Sequence, residues 1–499
     1  MLFAAPASEA TPLVAPTEDP GYLCIRSRAT AQRVTLTLIA LGVMFKNGAI
    51  SSLQAEQPNF LKRGVRDAVS VWPGLGTAFY CVGKVSQIFV AYQLGNRWTT
   101  ILSVFFTSVA LLIILTGNIG ATAFGVVLMQ FAAAHIWGAS VRTIAMWVDK
   151  ARVGTAIGIV MGFCGDIAQI IFNAIFSAMI GAFPVGSWWG TYCPTVLMAS
   201  LQLVLVLTMV LLLRGSAEDA GFPAPTELPT LKSTAQEGEE AKEDAGAVEA
   251  VAPQKEETEK VTAGSHPESC ILLDDPLEGL SVLAAIRVFM GHGRIWLAMA
   301  ASVCFTCLMS IQNFAVTFAV QEVGFTPSGA TLILMFLGIG MVVADLIAGL
   351  GQDNLSRPWY YFVGGLVVLL GIASGVILVV FQVAGMKAAL HGALEPLVLF
   401  IGLFVAFFFS VVITVFGVRF GGPSHASTLV GLLDAVGFLG GIPYQFGMGA
   451  LANHGQWTSV ILMAFVALMG AGVFVVWLAI ADARLPPLPP RAAAAAAVK

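Results

Sequence analysis

The 499-residue chain predicts an all-α polytopic membrane protein with twelve transmembrane helices in two six-helix halves. Three observations carry that expectation. Hydrophobic residues make up 57% of the chain and charged residues 11%, with a mean hydropathy of +0.85, whereas a soluble globule is about 45 to 50% apolar. The apolar residues fall in about twelve runs, each long enough to cross roughly 30 Å of hydrocarbon as a helix. Strict two-residue alternation is absent, so of the two structures that satisfy their own backbone in lipid, helices and closed barrels, the helix remains. The third observation is a long polar stretch, residues 215–267, which contains EGEEAKEDAGAVEAVAPQKEETEK and divides six runs from six.

The first six runs cover residues 32–53, 71–94, 99–116, 121–147, 153–183 and 195–213. The second six cover 295–320, 331–350, 360–381, 397–418, 427–451 and 458–480. The expected organisation is an N-terminal tail 1–31, a six-helix bundle 32–214, an acidic linker 215–282, a second six-helix bundle 283–482 and a tail 483–499. The linker, rich in Glu, Pro, Ala and Lys, is too polar to bury a core and reads as a disordered tether. Residues 1–31 begin with Ala, Pro and acidic residues instead of a basic segment before a short apolar core, so the first span itself is expected to direct insertion.

Threading the chain back and forth puts Arg26, Arg28, Arg33, Arg97, Lys150, Arg152, Arg214, Arg287, Arg294, Arg357, Arg419, Arg484 and Arg491 on one side. Only Lys62, Arg63, Arg66 and Lys387 fall on the other. Basic residues concentrate on the cytoplasmic side of membrane proteins, which places both termini and the linker in the cytosol. The seven cysteines are scattered without metal or disulfide spacing and read as small core hydrophobes. The net charge of −4 includes the acidic linker, and no basic patch points to nucleic acid. No nucleophile, metal or phosphate-loop constellation is present, so neither an enzyme nor a cofactor is expected.

The halves repeat each other faintly. Gly154-Thr155 and Gly158 enter the fifth span as Ser427-Thr428 and Gly431 enter the eleventh, and each span is followed by a tryptophan, Trp188 or Trp457. Gly349, Asp353 and Arg357 form a G-x-x-x-D-x-x-x-R turn in the second half, of which FVAYQLGNRW in the first half keeps Gly95 and Arg97. Parallel halves of six helices with a binding site at their interface describe the major facilitator architecture. Glycines cluster in the fifth, eighth and eleventh spans as Gly158, Gly162, Gly165, Gly338, Gly340, Gly437, Gly440 and Gly441. Small residues let helices approach closely, which serves packing and sliding alike.

Ionisable groups inside the spans carry the functional argument, because each costs about 2.5 to 3.5 kcal/mol near the bilayer centre and therefore faces protein or a wet cavity. Lys46 and Lys84 lie mid-span in the first two helices, with Asp166 of the fifth span as a candidate partner. One aspartate against two lysines leaves an excess positive charge that an anionic solute would satisfy. The alternative is that one lysine snorkels or is neutral while the other forms a structural pair. Asp345 and Asp434, nearer the cytoplasmic ends of the eighth and eleventh spans, read as gate carboxylates that pair with loop arginines. His135 is a candidate for proton coupling and equally a hydrogen-bonded core histidine. Gln312 and Asn313 of the seventh span are expected to face the cavity of the lysines.

The string WGASVRTIAMWVDKAR, with Trp137, Arg142, Trp147, Lys150 and Arg152, resembles the fourth helix and following loop of the organophosphate:phosphate antiporters, a major facilitator family. FKNGAIS around Lys46 and Asn47, YCVGK ending at Lys84, and EDAGFPAP before the linker agree with it. The resemblance implies two phosphate-gripping arginines, at positions that are Phe45 and Leu308 in this chain, and a fifth-helix histidine where Cys164 stands. What carries over is Lys46, Tyr80 and Lys84, and with them an anion.

The expectation is therefore a secondary transporter that moves a small organic solute, an anion, across a membrane by alternating access, with antiport as what the family resemblance implies. Lys46, Asn47, Tyr80, Lys84, Gln312 and Asn313 would bind solute, His135 and Asp166 would couple or pair charge, and Arg142, Asp345, Asp353, Arg357 and Asp434 would serve gates or structure. Two alternatives stay open: a proton-coupled carrier of a neutral or zwitterionic solute, and a sensor of the same fold that does not transport. The partners expected are the solute and the lipid bilayer, with no nucleic acid, and the protein is expected to be a monomer.

Overall fold

A computed structural model describes residues 27–148, 153–184, 187–222, 277, 280–354 and 357–484. Most of both tails, the loop bearing Lys150 and Arg152, and most of the acidic linker lie outside the described residues. The first half consists of α1 (Arg28–Lys62), α2 (Trp72–Ile114), α3 (Ile119–Trp147), α4 (Thr155–Ala182) and α5 (Trp188–Leu212). The second consists of α6 (Gly293–Val323), α7 (Pro327–Asn354), α8 (Arg357–Val383), α9 (Lys387–Ile413), α10 (Phe416–Asn453) and α11 (Trp457–Arg484). Eleven helical stretches among the described residues are long and apolar enough to cross a membrane.

The remaining expected span, residues 71–94, is the first limb of α2, which begins at Trp72. It passes into the third span without the loop the sequence suggested, because Gly95 makes the turn at φ 74° and ψ 162°. A side chain is strained at such a φ, and glycine is not. Two helix starts of the first half are capped by side chains: the Asn118 side chain accepts from the Ala121 amide at 3.1 Å, and the Ser187 hydroxyl from the Gly190 amide at 2.9 Å.

The first helix also differs from its expected extent. It runs on to Lys62, so Glu56 and Asn59 are helical and buried. Their purpose is legible in α5, where Pro194 has no N–H and leaves the Gly190 carbonyl without its usual helical donor. The Asn59 amide donates to that carbonyl at 2.8 Å. The Thr195 amide and hydroxyl both donate to Glu56 Oε1, at 3.1 and 2.8 Å. A helix break in α5 is thus closed by two side chains of α1, which ties the two helices together.

Exposed tryptophans mark the membrane boundaries. Trp98, Trp296, Trp359 and Trp477 lie toward the end of the bundles that holds Arg28 and Arg484, called proximal below, and Trp188 and Trp189 lie at the opposite, distal end. Amphipathic rings collect at the two membrane–water interfaces. Each half has its own apolar core, and the halves meet along α2 with α10 and along α4 with α7, with α6 also touching α1.

Close approach inside the second half depends on Gly340 of α7, where an added Cβ would collide with the Leu399 carbonyl of α9. Reciprocally, a Cβ on Gly402 would lie 2.5 Å from the Leu337 carbonyl. Backbone cannot move aside as a side chain can. Gly340→Ala is therefore expected to abolish recovery of folded monodisperse protein in size-exclusion chromatography, whereas Gly365→Ala, with nothing within 4 Å of its added Cβ, should leave recovery unchanged.

Candidate functional site

Among the described residues, charged groups of the two halves meet inside the spans in two places, one in each of the helix pairs that hold the halves together. In the α2–α10 pair, Lys84 Nζ lies 2.7 Å from Asp434 Oδ2, and the two residues are 1% and 3% exposed. The ammonium also lies 5.3 Å from the Tyr80 ring centroid and 5.8 Å from that of Trp137. Asp434 thus departs from its expected role: it meets the mid-span lysine of the other half instead of a loop arginine. Lys84 correspondingly holds its own carboxylate and does not stand open for an anion. Tyr80 adds a ring contact with Phe438 across the same interface, at 4.4 Å between centroids.

In the α4–α7 pair, Asp345 of α7 reaches α4 at Gly162, one helical turn before Asp166, which brings the two carboxyls from opposite halves side by side. Asp345 Oδ1 accepts from the Ser410 hydroxyl at 2.5 Å. Its Oδ2 lies 2.6 Å from where a Cβ on Gly162 would stand, so only glycine at that position lets the carboxyl reach Asp166. Asp345 also departs from expectation, since its partners are a carboxyl and a hydroxyl and not an arginine. Two carboxylates side by side repel, and a proton shared between them relieves that repulsion. The sequence reading took Asp166 as partner to a lysine; the tertiary contact is with another aspartate.

Lys46 is buried in the field of Asp166, Asp434 and Lys84 and, among the described residues, forms no ion pair of its own. The charge count changes with these positions. Two lysines, Lys46 and Lys84, share the interior with three aspartates, Asp166, Asp345 and Asp434, so one held proton brings the group to neutrality. The excess positive charge expected from the first half alone is cancelled by the second.

Other expected site residues are engaged elsewhere. The Asn47 amide donates to the Gly165 carbonyl at 2.7 Å, fixing α1 against α4. Asn313 accepts from Gln54 at 2.9 Å and donates to Gln445 at 3.1 Å, and Gln445 donates to Ser310 at 2.8 Å. With Thr317 donating to Gln57 at 3.3 Å, these amides seal α1 to α6 and α10 toward the distal end. Beside the seal lies a cavity of about 50 Å³ lined by Gln54, Gln57, Thr77, Gln130 and Asn313 together with Trp72. Gln312 donates to the Met341 sulfur at 3.6 Å.

His135 uses both ring nitrogens, Nδ1 with the Phe131 carbonyl and Nε2 with the Ser86 hydroxyl, each at 2.9 Å. Both ring nitrogens are therefore engaged, and the Ser86 hydroxyl also donates to the Gly83 carbonyl at 3.0 Å. Arg142 is exposed. The side chains of Asp353 and Arg357 lie outside the described residues.

Two helical bundles that touch through breakable polar contacts at mid-depth, with a hydrogen-bonded seal toward one end, are the anatomy of a membrane transporter that opens to its two sides in turn. The chain belongs to the Major Facilitator Superfamily, whose model matches residues 38–444. Its fold is similar to that of a major facilitator proton:xylose symporter, XylE, solved with 6-bromo-6-deoxy-D-glucose, at 13% identity and a TM-score of 0.64, covering 92% of this chain and 97% of that one. It is also similar to the fucose:proton symporter FucP of E. coli, at 11% identity and a TM-score of 0.54, covering 91% and 99%. No curated protein matches the chain in sequence.

Proposed function

We propose that this transporter is a proton-coupled carrier of a small polar organic solute. The observation that carries the reading is the contact between Asp166 and Asp345, two carboxyls brought together from opposite halves in the membrane interior. While the halves are closed, the pair holds one proton. When they part, the two carboxyls separate into water and the proton is free to leave, so that each rocking cycle carries a proton with the solute. The Lys84–Asp434 contact opens and closes in the same movement and supplies a second latch. XylE and FucP are described as proton symporters, and proton coupling in two proteins of this fold supports the same coupling here.

A second reading has its own observation. Lys46 forms no ion pair among the described residues, and an anionic solute, a phosphate ester included, would find an ammonium there. The two readings separate in proteoliposomes containing a pH-reporting dye and challenged in turn with neutral polyols, carboxylates and phosphate esters. Under the proton-coupled reading, one class of solute drives protons across together with itself. Transport that proceeds at one rate with and without an imposed proton gradient, and leaves the dye silent, would overturn it in favour of anion exchange at Lys46.

A further inference from the structure

The carboxyl pair lies deep in the membrane, and a proton needs a path to it. Along α4, the residues Asp166, Gln169, Asn173 and Ser177 fall within an arc of about 80° at 100° per residue, so they share one face. That face is turned to α7: Gly162, one turn before it, meets Asp345, the Gln169 Cβ lies 3.2 Å from the position of a Cβ on Gly338, and Ser177 meets Ser328. Ser177 and Ser328 exchange hydrogen bonds, the Ser177 hydroxyl donating to the Ser328 carbonyl at 2.9 Å and the Ser328 hydroxyl to the Ser177 carbonyl at 3.1 Å. Ser328 is part-exposed near the distal end of α7.

Asn173 lies between the serines and the carboxyls. It is fully buried, and among the described residues neither the nitrogen nor the oxygen of its amide has a protein partner. A buried amide left in that condition costs about 1 to 3 kcal/mol, and water is what relieves it, since water gives and takes hydrogen bonds as the amide does. About 10 Å of helix rise separates Asn173 from Asp166, the length of a short file of waters.

We infer that Asn173 holds water in the seam between α4 and α7, and that this file conducts protons between the distal surface at Ser177 and Ser328 and the Asp166–Asp345 pair. The inference rests on the proton-coupled reading and adds to it a separation of routes. Solute is stopped distally by the amides of Gln54, Asn313 and Gln445, while the proton travels along a different helix pair. Each step is a transfer from one water oxygen to the next, ending on a carboxylate oxygen, with no bond made or broken other than O–H.

The test needs no solute. In the purified full-length protein, infrared spectroscopy reads the C=O stretch of the protonated carboxyl pair, assigned by its loss in Asp345→Asn, and a rapid pH jump measures how fast that band responds. Asn173→Leu, similar in size but without polar atoms, is expected to slow the response about tenfold, the worth of roughly one hydrogen bond in a barrier. Asn173→Ser, which keeps a hydroxyl and leaves room for water, should restore it. A wild-type rate in Asn173→Leu overturns the route while leaving the coupling reading intact. Absence of the band from the wild-type protein overturns the coupling reading and the route with it. Should Asn173→Leu not yield folded protein, Ser177→Ala combined with Ser328→Ala asks the same question, with slowing in support and an unchanged rate against.

Discussion

Exchanging Asp345 for asparagine leaves a carrier that trades solute across the membrane but no longer concentrates it. A gradient of one pH unit is worth about 1.4 kcal/mol per proton, enough for roughly tenfold accumulation if one proton moves with each solute molecule. With no proton held between Asp166 and position 345, that ratio falls to about one, while counterflow, which requires no net proton movement, continues. Asp166→Asn should behave in the same way, because either carboxyl alone cannot form the pair. Accumulation that survives both substitutions under an imposed gradient would remove the aspartates from the coupling mechanism.

The largest effect on stability is expected at Lys84. The ammonium and its carboxylate are both nearly inaccessible, and Asp434 Oδ1 already has no other partner among the described residues. Lys84→Met therefore leaves a buried carboxylate uncompensated, at a cost of about 3 to 5 kcal/mol. Asp434→Leu alone strands the ammonium and should be similarly harmful. The double variant Lys84→Met with Asp434→Leu replaces the pair by apolar side chains and is expected to recover most of the loss, since well-packed hydrophobic substitutes for a buried pair are often neutral. Thermal unfolding of the purified variants, followed by tryptophan fluorescence, reads the difference. Equal destabilisation in the single and double variants would mean that packing, and not charge compensation, is what the pair supplies.

Much of the architecture was legible because lipid imposes a rule that acts on single segments. A run such as 360–381 must be a helix wherever it sits, since its backbone has no other partner in hydrocarbon. Where local cues were subtler, the reading slipped. Ending the first span at residue 53 hid Glu56 and Asn59, whose reason for being in a helix is Pro194 in another one. Expecting a loop near residue 95 missed that a single glycine turns the chain there within an otherwise helical stretch.

The site was legible only as a set of suspects. Lys46, Lys84 and Asp166 stood out because charge is costly in a span, but Asp345 and Asp434 were assigned to the gates on their nearness to helix ends. One local signal pointed elsewhere: Gly162, one turn before Asp166, marks a place where another side chain approaches α4 closely. Asn313 was expected beside the lysines and instead joins Gln54 and Gln445 in the distal seal.

The amino-acid order alone determined that the chain enters a membrane, that it does so as two bundles of helices, and which side chains carry charge or hydrogen-bonding capacity into the hydrocarbon. These follow from solvation, a property of each segment by itself. The tertiary structure alone decided that Lys84 belongs to Asp434 and Asp166 to Asp345. The reason is geometric: those partners are far apart in the chain, and whether they meet depends on the depth and rotation of each helix as the two halves pack, to which no local spacing rule applies.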